Sequence, residues 1–260
     1  SRGGAGASAL LSGYGPEHAA AEQAIAAWLE VPSVLLFSSG YAANVGVISA
    51  LAGPGDVIVS DQLNHAPIID GCRLSGARIV IAPHLDLGAV AGALASARGA
   101  RRRFVVTETY FSMDADSPDL PGLRAVCDAG DAALILDEAH ALGVFGPGGR
   151  GLAARAGVSA DVTIGPLGKA FGLAGAFAAG SASLRRYLWN RARSFVFSTA
   201  MSPAIAGAIP ARVEIVRGAD AARERLADLG ARLRAMLASG LGDLPTAGGV
   251  GPAPWPVPGH

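Results

Sequence analysis

Twenty of the 21 cationic side chains are arginine, and a single one, Lys169, is lysine. A composition this biased leaves two readings of Lys169: a surface lysine retained by chance, or an amine kept because guanidinium cannot replace it. An amine can lose its proton near neutral pH and attack a carbonyl, which guanidinium effectively cannot do. Asp137 and His140 share the run LILDEAH, and His65 lies in DQLNHAPIIDG. A carboxylate stays ionised where it meets a cation such as a protonated ring nitrogen, and imidazole suits proton transfer at neutral pH. A lone histidine is also commonly a satisfied core residue, and both readings of His65 stand. The segment FSSGYAAN, 37–44, reads as strand, small-residue turn and helix. Free N–H groups and the positive end of such a helix can hold a phosphate, with the Ser38 and Ser39 hydroxyls as added donors.

Two other motif matches fail. DEAH also occurs as a helicase signature, which requires a GxxxxGK[ST] loop; TIGPLGKA has Thr163 in place of glycine and Ala170 in place of Ser/Thr. GPGGRG, 146–151, fits GxGxxG only formally, since it contains Pro147 and opens no strand–helix–strand unit.

The elements that must position these residues follow from apolar periodicity. Pro16 suits the first turn of a helix running through HAAAEQAIAAWLE. Short apolar runs at 34–37, 56–60, 78–82, 103–108, 132–137, 161–165 and 175–180 read as strands, separated by helix-length segments such as 86–97. Continuous apolar strands alternating with helices imply an α/β fold with a mostly parallel sheet covered on both faces. Ligands bind beyond the carboxyl ends of such strands, where the candidate residues fall. After Ser202-Pro203 the strand pattern stops, and helices are expected at about 203–217 and 219–239.

Composition narrows the function class. The 260 residues are enough to bury a sizeable core. The 21 basic and 21 acidic residues balance, so no field draws the chain to nucleic acid or an anionic membrane. Mean hydropathy is positive, +0.38. The longest uncharged stretch, 31–55, is nevertheless broken by Pro32, Ser33, Ser38, Ser39, Gly40, Asn44 and Gly53-Pro54-Gly55, and reads as core, not as a membrane span. Two cysteines, Cys72 and Cys127, are too few for a disulfide scaffold, and a cytoplasmic location is expected. An amine, a carboxylate, two imidazoles and a phosphate cradle at the strand ends of one sheet fit pyridoxal 5'-phosphate (PLP).

The ordered segments GYGPEH (13–18), FSSGYAAN, DQLNHAPIIDGCRLSGA (61–77), TETYFSMDAD (107–116), LDEAHALGVFGPGGRG (136–151), GPLGKAFG and FVFSTAMSP (195–203) resemble the motif set of the α-oxoamine synthases. These are fold-type I PLP enzymes that condense an amino acid with an acyl-CoA. The resemblance implies an aspartate aminotransferase-like large domain over 1–217, and over 218–260 the beginning of a truncated C-terminal domain. It implies a C-acyltransferase of biotin biosynthesis that joins L-alanine to a pimeloyl thioester with loss of CO2. Glycine- or serine-using relatives and a truncated non-catalytic homologue are the alternatives. By the same resemblance Lys169 forms the Schiff base, Asp137 pairs with the pyridinium, His140 contacts the ring hydroxyl side and His65 stacks on the ring. Ser112 and Glu108 line the site, and Ser39, Gly40 and Tyr41 approach the phosphate. Ser198 and Thr199 reach the phosphate of the partner in a homodimer, Asn44 caps or packs, and no metal is expected.

Three positions depart from the family pattern. Pro166 stands where a phosphate-binding threonine is usual, Ala9 where an arginine is usual, and Ala115 where a glycine is usual. Pro166 has neither hydroxyl nor N–H to give a phosphate. The family's chains also begin earlier and continue beyond the equivalent of residue 260, with an arginine there that holds the amino-acid carboxylate.

Overall fold

The structure is a computed structural model that describes residues 3–241. All seven expected strands form: β1 (Ser33–Phe37), β2 (Val57–Asp61), β3 (Arg78–Ala82), β4 (Arg103–Glu108), β5 (Ala133–Asp137), β6 (Val162–Pro166) and β7 (Ala176–Gly180). They make one sheet in the order β1-β7-β6-β5-β4-β2-β3. Only β7 runs against its neighbours, β1 and β6, so the carboxyl ends of the other six lie along one edge.

The strands are apolar on both faces because helices cover both. Leu35, Phe37, Ile58, Val106, Ile135 and Ile164 point to one side. There they meet α2 (Gly40–Leu51), α3 (Ala66–Ser75), α7 (Ala182–Arg191) and α8 (Arg193–Val196). On the other side Val34, Leu36 and Phe177 pack under α1 (Pro16–Leu29) and α9 (Pro203–Arg217). Val59, Val105, Leu134 and Leu136 on that side pack under α4 (Leu87–Ser96), α5 (Leu120–Ala129) and α6 (Gly151–Arg155). Each such large side chain, removed from water, contributes about 1.5–3 kcal/mol before entropy is counted.

Register then decides which strand ends meet. Glu108 of β4 stands opposite Asp137 of β5, and Pro166 of β6 opposite Ala176 of β7, which in turn faces Phe37 of β1. The N-terminus of α2, directly after β1, is thereby carried beside the end of β6.

Of the expected C-terminal region, α10 (Asp220–Leu241) is described, and residues 242–260 lie outside the described part. Among the described residues no helix is long and apolar enough to cross a membrane. Both cysteines are buried free thiols.

Candidate active site

Asp137 ends β5 only 6% exposed. Its Oδ2 accepts from Asn44 Nδ2 at 2.6 Å, and its Oδ1 from the Ala139 N–H at 2.8 Å. Burial pushes its pKa above the ordinary carboxylate value, and these bonds together with the charges of Lys169 and His65 only partly oppose that. A buried carboxyl whose hydrogen bonds come from neutral donors is poised for a cationic partner.

Glu108, its neighbour in register, has Oε1 2.9 Å from the His65 N–H. Burial first, and the adjacent Asp137 second, push it up to about 7. His140 lies half-buried just past β5, and burial together with the positive charges of Lys169 and His65 brings its pKa down to about 4. It is therefore a neutral imidazole near pH 7.

Lys169 is exposed in the β6–β7 turn, which is closed by the Gly172 N–H on the Lys169 carbonyl and the Leu173 N–H on that of Leu167. Its charge is felt at Asp137, Glu108 and His140, so the turn delivers the amine to the strand-end edge. His65 is the N-cap residue of α3, with its backbone anchored to Glu108 and its side chain open to solvent.

Ser39 caps α2, its Oγ accepting from the Ala42 N–H at 3.1 Å. Beside it, a Cβ placed on Gly40 would stand 2.9 Å from Pro166 Cγ. Absence of a side chain at Gly40 thus lets the end of β6 pack directly against the helix N-terminus. The first N–H groups of α2 have no carbonyl one turn earlier in the helix, so they offer donors to an anion.

The structure separates the remaining candidates from this group. The Tyr41 hydroxyl donates to Asp70 Oδ2 of α3 at 2.9 Å, leaving its backbone as the part at the helix N-terminus. Ser112 is exposed in the turn after β4. The Ser198 hydroxyl donates to the Thr199 carbonyl at 3.2 Å, and Thr199 forms a bridge with Ser8. Both line a crevice with Ser38, near the α2 N-terminus of the same chain.

By sequence Asn44 is a capping or packing residue, but in the structure it is an electrostatic partner of Asp137 across 93 positions. Its Nδ2 also donates to the Gly40 carbonyl at 3.2 Å, and its Oδ1 is buried without a partner among the described residues. One amide in a helix otherwise built of apolar and small residues was the available signal. Nor does the sequence pattern single out Glu138. Fully buried, it accepts from the Thr109 hydroxyl and from the N–H groups of Leu152 and Ala153, tying the start of α6 to the strand ends. At Gly151, with φ +92°, a Cβ would collide with this carboxylate.

The arrangement suits a ligand with an anion for the α2 terminus, a protonatable nitrogen for Asp137 and a carbonyl for Lys169. A mostly parallel α/β sheet with such a lysine and aspartate at its strand ends defines the architecture of a fold-type I large domain. The chain belongs to the aminotransferase class I and II family, whose model matches residues 3–251.

It is 45% identical over 240 residues to the 8-amino-7-oxononanoate synthase of Delftia acidovorans, covering 90% of this chain and 59% of that protein. A solved 8-amino-7-oxononanoate synthase from Francisella tularensis superposes with a TM-score of 0.78 at 29% identity, over 87% of this chain and 66% of that one. A serine palmitoyltransferase variant from S. paucimobilis, solved with a bound PLP–myriocin aldimine, has a TM-score of 0.84 at 30% identity, over 90% of this chain and 60% of that one. The chain spans about three-fifths of the length of the curated relatives it matches.

Proposed function

We propose that the chain is the cofactor-binding part of a PLP-dependent C-acyltransferase that condenses L-alanine with a pimeloyl thioester. The products are 8-amino-7-oxononanoate, CO2 and the free thiol. One observation carries this reading: the buried Asp137 carboxyl and the only lysine meet at one strand-end edge, next to the free N–H groups of α2. When bound, PLP supplies an aldehyde for an amine and a protonated ring that accepts the electron pair left at the amino acid Cα.

The roles of the residues follow from their surroundings. Asp137, oriented by Asn44 and Ala139, accepts the N–H of the pyridine nitrogen, and the burial that disfavours its charge makes that partner worth more. Lys169 would hold the cofactor through its aldehyde, and its Nζ, when free, would be the base that takes the Cα proton of the amino acid. His140, neutral at pH 7, offers an N–H toward the ring hydroxyl without adding charge beside Lys169. His65, at the open side, covers the ring and polarises the carboxyl groups that react. Ser39 and the N–H groups of Gly40 and Tyr41 hold the phosphate, while Glu108 and Ser112 line the edge. Ser198 and Thr199 complete the partner's phosphate site in a homodimer. Residues 1–217 form the PLP-binding domain and 218–260 the start of the next, in a cytoplasmic enzyme.

The serine palmitoyltransferase superposition favours a second reading, a serine-using relative with a long acyl thioester. Product analysis with alanine, glycine and serine separates the two. For the cofactor, the test is PLP titration followed by borohydride reduction and peptide mass analysis. The expected result is one PLP-sized addition on the peptide containing Lys169 and none in Lys169→Ala; equal trapping in the variant ends the assignment.

A further inference from the structure

Beside the strand-end edge lies a charge cluster that the chemistry above does not use. His84, in the turn between β3 and α4, places Nδ1 2.9 Å from Asp61 Oδ1 and Nε2 3.1 Å from Asp116 Oδ2. Asp61 ends β2, and Asp116 belongs to the 109–117 turn that carries Ser112. The imidazole also stands edge-on to the buried Phe111 ring of that turn, with centroids 4.5 Å apart. A neutral imidazole has one donor and one acceptor nitrogen. With a carboxylate at each nitrogen, the neutral ring would aim a lone pair at an anion, and only the imidazolium satisfies both.

What the cluster holds is strained. Leu85, next to His84, has φ +56°, and Ala115, next to Asp116, has φ +57°, a left-handed conformation that side-chain-bearing residues seldom adopt. Asp61 Oδ2 accepts from the Leu85 N–H at 2.9 Å, and the Asp116 carbonyl accepts from the Phe111 N–H at 3.0 Å. Both strained turns are therefore fastened through the partners of one histidine. Tyr110 and Ala115 of the second turn line a cavity of about 920 Å³ together with His140.

We propose that His84, as an imidazolium, is a positioning residue that clamps the 109–117 turn to β2 and so sets one wall of the cleft at His140. The clamp itself stands on geometry alone; its relevance to Ser112 and the cleft rests on the functional reading above. The groups facing the ring are Asp61 from β2 and Asp116 from the turn. Asp86 in its own turn caps α4 through the Ala89 N–H, and Glu108 lies within the field of Asp61. Burial works against the charge of His84, but the hydrogen bonds and charges of Asp61 and Asp116 outweigh it and hold the proton above the ordinary value of 6.5. A raised histidine pKa makes the clamp complete below about 6.5 and weakens it as pH rises through the folded value.

The test uses the 260-residue chain without PLP, so a failure of the functional reading leaves it intact. NMR follows the His84 imidazole, and amide hydrogen exchange, corrected for its intrinsic pH dependence, follows residues 110–117. We expect His84 to titrate above 6.5 and protection of the turn to fall in step, while β4 and β5 amides keep theirs. His84→Gln should exchange at least about tenfold faster across the turn below about pH 6.5, and the difference from wild type should close as pH rises through the folded His84 value. Adding Ala115→Gly, which removes the strain, should restore part of the protection. A His84 that titrates at or below 6.5, or a turn that stays protected after deprotonation, overturns the proposal. If His84→Gln fails to fold, the wild-type titration and Asp116→Asn decide in its place.

Discussion

Two buried aspartates at opposite edges of the sheet show how the same side chain serves two purposes. Asp56, 1% exposed, precedes β2 at the amino-terminal edge, whereas Asp137 ends β5 at the carboxyl edge. Asp56 accepts from Arg101 Nε and Arg102 Nη2, each at 2.9 Å, and from the Gly53 N–H, also at 2.9 Å. Burial resists its charge, yet the two guanidinium groups overcome that and bring its pKa down to about 2. Among the described residues Asp137 receives hydrogen bonds from an amide and a backbone N–H alone, and burial moves its pKa the other way. A carboxylate answered inside the chain holds the fold together; one answered only by dipoles keeps its affinity for a cation that arrives with a ligand.

Exchanging the carboxyl for an amide at each edge tests this contrast. The largest effect is expected in Asp137→Asn, where exchange of the alanine Cα proton should fall by about a hundredfold or more as the ring nitrogen loses its anion. Its thermal stability should hold or rise, because a buried ionisable group has been removed. Wild-type proton exchange in this variant would take Asp137 out of the site.

Pro166→Thr comes next, since it restores a hydroxyl beside the α2 N-terminus. A hydrogen bond to a charged group contributes about 1.5–3 kcal/mol, so PLP should bind about tenfold to a hundredfold tighter. Unchanged or weaker binding in a PLP titration would mean that this position is no phosphate contact.

The smallest effect belongs to the other edge. Asp56→Asn should leave PLP affinity unchanged and cost about 1–2 kcal/mol at pH 7, discounted because Arg101 and Arg102 remain half-exposed. The sign with pH is fixed by the lowered pKa. The stabilisation is present above the ordinary 3.8 and is lost as pH falls toward about 2, so the difference between variant and wild type should close over that interval. Glu108→Gln provides the opposite slope. Because Glu108 is raised to about 7, its ionisation destabilises the fold, and the variant should gain in Tm over wild type as pH rises from about 4.5 through 7. Parallel slopes for the two variants would remove the distinction between the edges.

Much of the frame was legible because its signals are local. The strands at 34–37, 103–108 and 132–137 are runs of β-branched and leucine residues, and their ends match the observed ends within a residue or two. Pro16 and Pro203 mark the starts of α1 and α9 as N1 residues should. Placement of Asp137, Glu108 and His140 at or just beyond strand ends followed from the same pattern. Tyr41 shows where such reasoning stops, since its position after Gly40 gave no indication that its hydroxyl turns to Asp70. Ala115 was visible as an alanine where glycine is usual, and its positive φ gives the physical reason for that preference.

The sequence by itself thus determined the layered α/β plan and the strand ends at which chemistry is placed, because burial on both faces of a sheet is written in contiguous apolar runs. Tertiary structure alone decided which polar groups answer each other: Asn44 with Asp137, His84 between Asp61 and Asp116, and Arg101 and Arg102 on Asp56. Those pairings join residues 23 to 93 positions apart. They depend on strand order, register and helix rotation, which set the distance and dielectric on which a charge's partner depends and which leave no periodic trace in the chain.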